Sequence, residues 1–197
     1  AGVAAGFTVD IGGSDTSGPS PAINATAVTA PGGTHHAISI AKRTGMQLKI
    51  CGEVQPVFRD YFEKEIRPHI DGKQIQFLGE ADRALKNEVL KSASALLFPI
   101  EWNEPFGLIM IEAMACGRPA VGTPVGGIPE LVSEGETGWL ARTTDVADVA
   151  EAIERMWADR SDWKERGNKA RNHVAGRNNG QTVYADLLEQ LRIDTAA

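Results

Sequence analysis

Short runs that are nearly all apolar alternate along this chain with longer stretches in which apolar residues recur every three or four positions. The first pattern predicts buried strands and the second amphipathic helices. Residues 22–30, rich in Ala and Thr, form a weak strand candidate, and Pro31-Gly32-Gly33 then turns the chain. Thr34 is placed to cap a helix whose apolar face is Ala37, Ile38 and Ala41. Residues 48–52 predict a short strand ended by glycine, and 56–67 a helix with Val57, Phe58, Tyr61, Phe62 and Ile66 on one face. A strand at 75–79, a helix at 82–93 and an almost wholly apolar strand at 95–99 continue the alternation. A helix from about Phe106 stops at Gly117, where glycine supplies a left-handed cap. A strand at 119–122, one helical turn at 128–132 and a short strand at Trp139-Leu140 follow. Amphipathic helices at 145–158, 161–175 and 182–191 complete the pattern. Strand–helix–strand units in this order build a parallel sheet with helices on both faces. The expected fold is one Rossmann-like α/β domain over residues 22–178, with ligands bound at the carboxyl ends of its strands.

Residues 1–21, centred on GGSDTSGPSP, hold too little apolar material to pack and are expected to be a flexible linker or arm. Residues 179–197 are expected to carry the C-terminal helix. A 42% hydrophobic share excludes a wholly disordered chain. No apolar run is long enough to span a membrane, and the opening AGVAAGF lacks the basic residues of a signal peptide. A net charge of −6 with no Lys/Arg cluster argues against a nucleic-acid partner. Cys51 and Cys116 read as small core hydrophobes rather than a disulfide framework. Without HxH, HExxH or CxxC elements, neither a metal nor another cofactor is expected. The expected location is cytoplasmic, at most peripheral to a membrane.

The chemistry concentrates in PIEWNEPFGLIMIEAMACG, residues 99–117. A buried strand ends at Phe98-Pro99, a loop crosses the top of the sheet, and Pro105 sits at the helix start, where its missing N–H costs nothing. The free amides of Phe106, Gly107, Leu108 and Ile109 then face the crevice, with a helix dipole that favours an anion. Gly107 lets a phosphate approach the backbone. Glu104 and Glu112 bracket this place with seven residues between them. At a rise of ~1.5 Å per residue, Glu112 lies about 9 Å beyond the first free amide. Carboxylates beside a phosphate should accept hydrogen bonds from hydroxyls, so a ligand with phosphates between two polyols fits. A nucleotide sugar is such a ligand.

The segment EPFGLIMIEAMACGRPAVGTPVGGIPELVSEGETGWL resembles the donor-binding signature of the retaining GT-B glycosyltransferases, and the likeness extends over residues 33–157. The resemblance implies that the chain is the C-terminal half of such an enzyme, transferring a hexose from a nucleoside diphosphate sugar to an acceptor. It assigns Glu104 to the hydroxyls of the transferred sugar and Glu112 to the ribose, with the amides of Phe106, Gly107 and Leu108 on the distal phosphate. The base pocket falls to the loops around Gly52 and Gly79, and Gly126-Gly127 matches a loop near the crevice. Two departures stand out. The family places Arg and Lys on the diphosphate, whereas AVTAPGGTHH has no basic residue, nor is there one anywhere between Ala1 and Lys42. Each lost contact is worth ~1.5–3 kcal/mol. The N-terminal GT-B domain, which supplies the acceptor site, is missing from this length, so the chain alone is expected to be inactive.

Blander readings stand beside these. Glu104 and Glu112 could be solvated carboxylates favoured by a helix dipole. His35 and His36 read as surface or capping residues, or else face the diphosphate in place of the lost Lys. Trp102 and Phe106 read as packing residues of the crevice wall. The glycines of 122–127 punctuate a loop, and Glu134, Glu136 and the charges of 151–171 form a solvated face. The alternative functions are a non-catalytic nucleotide-sugar-binding fragment and, further off, a nucleotide-sugar epimerase.

Overall fold

A computed structural model describes residues 22–25 and 33–177. Six strands form one parallel sheet: β1 (Ala22–Ala25), β2 (Gln47–Cys51), β3 (Ile75–Gly79), β4 (Leu96–Phe98), β5 (Ala120–Gly122) and β6 (Gly138–Leu140). Their spatial order is β3-β2-β1-β4-β5-β6, with Leu96 beside Ala120 and Leu97 beside Val121. Every pairing is parallel. The order reverses between β1 and β4, and that switch point opens a crevice at the strand carboxyl ends.

The helices are α1 (Thr34–Thr44), α2 (Arg59–Tyr61), α3 (Arg83–Ser92), α4 (Leu108–Ala115), α5 (Ile128–Leu131), α6 (Val146–Ala158) and α7 (Trp163–Arg177). α1 meets α6 and α4 meets α7. Strand residues Leu48, Ile50, Leu96, Leu97, Phe98 and Val121 are buried because helices cover both faces, so they read as continuous apolar runs. Trp139 is the largest fully buried side chain. Its indole N–H donates to Asp159 at 3.3 Å, and the Arg166 guanidinium stacks 4.8 Å from its ring.

Three local expectations change. Thr34 opens α1 as its first residue, and Gly33 (φ 122°) holds the cap position with no side-chain bond. A Cβ at Gly33 would sit 2.6 Å from the Pro99 carbonyl oxygen, so glycine is required where α1 meets the end of β4. The helix expected at 56–67 winds unevenly: a 3-10 turn, α2, a π turn over Phe62–Ile66 and a second 3-10 turn at Arg67–His69. Pro68 has no N–H to continue an α ladder, and regular winding ends ahead of it. Phe62 and Ile66 are buried as expected, but Val57 is 74% exposed. The arm at 1–21 and the helix expected within 179–197 lie outside the described residues.

Candidate functional site at the sheet switch point

The loop after β4 carries Glu101, Trp102 and Glu104, and α4 follows. The helix begins at Leu108, two residues later than its sequence implies, because Gly107 takes a left-handed conformation (φ 67°) as its N-cap. The first bond of the helical turn runs from Met110 N–H to the Gly107 carbonyl at 2.9 Å. Leu108 and Ile109 therefore carry the leading amides of α4.

The four amides expected to be open are not equivalent. Gly107 N–H donates to Glu104 Oε1 at 3.1 Å, with Phe106 N–H at 3.5 Å from the same oxygen. Trp102 Nε1 donates to Glu104 Oε2 at 3.3 Å. The Glu104 carboxylate itself thus occupies the anion place at the head of the helix, which corrects the picture of empty amides at Phe106 and Gly107. The cause is local: a three-residue reach lets an acidic side chain cap the turn that follows it. Phe106, expected to pack in the wall, is 55% exposed, and Leu108 beside it is 62% exposed. Trp102 does pack against the core.

Glu112 lies in the third turn of the segment and forms an ion pair with Lys86 of α3. Asp82 fixes the start of α3 by accepting from Leu85 N–H at 2.8 Å, and this places Lys86 one turn on. No linear motif singled out Lys86. Gly52 and Gly79 are joined directly: Gly52 N–H donates to the Gly79 carbonyl at 2.7 Å, where β2 and β3 end. The loop after β5 buttresses Glu104. Gly127 N–H donates to the Glu104 carbonyl at 2.8 Å, and a Cβ at Gly126 would lie 2.1 Å from that same oxygen. Glu134 is exposed, as expected of a solvated face, and also binds the Leu140 amide and Arg155, tying β6 to α6.

Across the switch point, His36 Nε2 lies 2.8 Å from Glu101 Oε1, and His35 Nδ1 lies 2.8 Å from the Tyr61 hydroxyl. The histidine rings stand 3.9 Å apart. Ligating atoms of His35, His36 and Glu101 all fall within 4.8 Å of one another, so among the described residues these could hold a metal ion. A search for linear ligand spacings could not find them, since Glu101 is 65 residues from His36. Burial, and then the neighbouring His36, hold the His35 imidazole below its ordinary value of 6.5, against the opposing pull of Glu101 and Glu65. A base with a lowered folded-state pKa leaves the unfolded chain binding more protons. Its stabilising contribution is complete above pH 6.5 and is lost as pH falls through 6.5 toward the depressed value. Melting curves from pH 7.5 to 5 should therefore show a larger acid-side loss of Tm in wild type than in His35→Asn; parallel curves would contradict this origin.

A parallel sheet of this strand order, with Glu101, Glu104 and Glu112 gathered beside its switch point, defines a Rossmann-like α/β domain. The family described as "Glycosyl transferases group 1" matches residues 33–173, and this chain belongs to it. N-acetyl-alpha-D-glucosaminyl L-malate synthase of Bacillus anthracis is 35% identical over 127 residues, covering 61% of this chain and 32% of the relative. Glycogen synthase of Mycobacterium tuberculosis is 32% identical over 156 residues, covering 77% and 37%. The chain thus spans about a third of the length of these curated relatives. Sucrose-phosphate synthase from Thermosynechococcus elongatus superposes with a TM-score of 0.71 at 28% identity, over 83% of this chain and 42% of that one. Anabaena HepE, solved in complex with UDP and glucose, shares the fold with a TM-score of 0.73 at 21% identity, over 85% and 47%. The Rossmann-like fold and the GT-B resemblance read from the sequence agree with these findings. Among the described residues, no helix is long and apolar enough to cross a membrane.

Proposed function

We propose that this chain is the donor-binding half of a retaining glycosyltransferase, taking a hexose from a nucleoside diphosphate sugar and passing it to an acceptor held by an N-terminal domain. The observation that carries the reading is the line of groups along the carboxyl edge of the sheet. Gly52 and Gly79 stand at β2 and β3, and Glu104 follows β4. From β3 to β4 is three strand spacings of ~4.8 Å, about 14 Å. That span suits a base at one end, a sugar at the other and a diphosphate over the switch point between them. In the donor complex the Glu104 carboxylate leaves the Phe106 and Gly107 amides for the sugar hydroxyls, and the distal phosphate takes its place. The ribose hydroxyls meet Glu112, which Lys86 holds in position. Charge developing on the departing diphosphate falls on the amide end of α4, with attack on the same face of the sugar.

Glu104→Ala tests this exchange, because it removes both a sugar contact and the anion already sitting on the amides. Calorimetry with uridine, adenosine and guanosine diphosphates and their sugars should first identify the base. The variant should then bind the matching nucleotide sugar about tenfold more weakly, ~1.4 kcal/mol, with no loss for the bare nucleotide. Equal losses for the two ligands would refute the assigned role.

A second reading, that the chain alone binds nucleotide without turning it over, is favoured by the absence of any basic residue between Ala1 and Lys42. Sugar transfer by the purified chain would eliminate it.

A further inference from the structure

At the amino-terminal edge of the sheet, on the opposite side from the switch point, a cavity of about 720 Å³ opens between the ends of α3 and α4 and the start of α7. Its lining includes five cations, Lys91, Arg118, Arg160, Lys164 and Arg171, and no acidic side chain. Two helix carboxyl termini meet here, together equivalent to roughly one negative charge, which leaves most of the positive charge uncompensated. Three of the guanidinium groups are fixed by main-chain carbonyls. Arg118 Nη2 donates to Lys91 O at 2.8 Å, Arg171 Nε to Ala115 O at 2.9 Å, and Arg160 Nη1 to Trp157 O at 3.1 Å. None of the five enters an ion pair among the described residues. Arg118 Nε is buried there without a hydrogen-bond partner.

Structural capping accounts for one donor on each of these arginines. It does not account for five like charges around one recess in a chain of net charge −6. Like charges brought together repel one another and attract a counter-charge. We propose that this cavity is a second binding site, separate from the switch-point crevice, for a small molecule carrying multiple phosphate charges. Guanidinium groups pinned by one donor present the rest in a fixed orientation suited to phosphate oxygens. Ser161 and Asn168 add neutral polar contacts for the remainder of such a ligand. A membrane headgroup shares this chemistry, but stable surface binding also needs apolar insertion. Among the described residues, the exposed large hydrophobic ones, Val57, Phe106, Leu108 and Val146, all lie outside the lining. A free phosphorylated molecule fits a recess better than a surface does.

The test is a titration of the ¹⁵N-labelled 197-residue chain with inorganic pyrophosphate, followed by NMR. The amides of Gly117, Trp163 and Asn168 and the Trp163 indole should shift saturably below ~10 mM. Half-saturation should rise at least about tenfold in Lys91→Glu/Lys164→Glu. Arg160→Ala provides a milder variant, with a smaller rise expected, should the double charge reversal fail to fold. No saturable shift at these residues would overturn the proposal, as would shifts that ignore both substitutions or that appear only at Leu108 and Ile109. Co-sedimentation with phosphatidylserine vesicles without a pyrophosphate response would also overturn it, in favour of a membrane contact. Shifts at Leu108 and Ile109 bear on the donor site alone, so the two readings stand or fall separately.

Discussion

Alanine at Gly126 is expected to weaken binding of a nucleoside diphosphate sugar about as much as removing the Glu104 side chain, roughly tenfold, while the chain keeps its fold. A Cβ there would lie 2.1 Å from the Glu104 carbonyl oxygen, 2.7 Å from its nitrogen and 2.8 Å from its carbonyl carbon. All three are backbone atoms, so no side chain can swing aside to make room. The φ of +55° adds the left-handed penalty of ~1–2 kcal/mol for a residue with a Cβ. Gly126 is exposed, on the connection between β5 and α5, so this strain is relieved by shifting the loop and Glu104 together rather than by breaking the core. The bond from Gly127 N–H to the Glu104 carbonyl would be lost in the same movement. Calorimetry should therefore show binding of the nucleotide sugar weakened by about tenfold, the loss expected when Glu104 is removed outright, with only a modest fall in Tm. Wild-type affinity in the variant would mean that the 122–127 loop does not hold Glu104 in place.

The second large effect is on stability, and its sign is the reverse of helix propensity. In an isolated helix, Gly→Ala is stabilising by about 1 kcal/mol. At Gly167, inside α7, a Cβ would stand 2.0 Å from the Gly117 carbonyl oxygen and 2.9 Å from its carbon. The helix would have to retreat from the end of α4, opening the small cluster of Met114, Ala170 and Val174. Overpacking against backbone of this kind costs about 3 kcal/mol, which corresponds to a Tm lower by about 6–12 °C in a chain of this size. An unchanged or raised Tm for Gly167→Ala would show that the two helices do not approach this closely.

The two ends of the sheet are electrostatically unlike. The strand carboxyl ends carry Glu101, Glu104 and Glu112, each with a nitrogen donor close by. The amino-terminal end gathers five cations with no carboxylate among them. A net charge of −6 conceals this division, because net charge carries no information about where the residues end up. The absence of a Lys/Arg cluster in the sequence is accurate along the chain, yet Lys91, Arg118, Arg160, Lys164 and Arg171 line one recess.

Most of the architecture was legible before any coordinates. The alternation of apolar runs and amphipathic stretches marked every strand from β1 to β6 and the order of the helices between them, because periodicity is a local property of a few adjacent residues. The motif around Glu104 and Glu112 marked the head of α4 for the same reason: its parts lie close together in sequence, in one loop and the first two turns of the helix that follows. The exact helix start was not legible, since it depends on Gly107 adopting φ 67° and on the Glu104 side chain reaching back to the amides. Other features needed the folded chain, namely the Lys86–Glu112 pair, the His36–Glu101 contact, the seat of Gly126 against Glu104 and the basic cavity. Each joins residues from different strand–helix units, and which units become neighbours is set by the strand order rather than by sequence spacing. Local patterns specify what each element is; only packing of the whole sheet decides which side chains meet at its two ends.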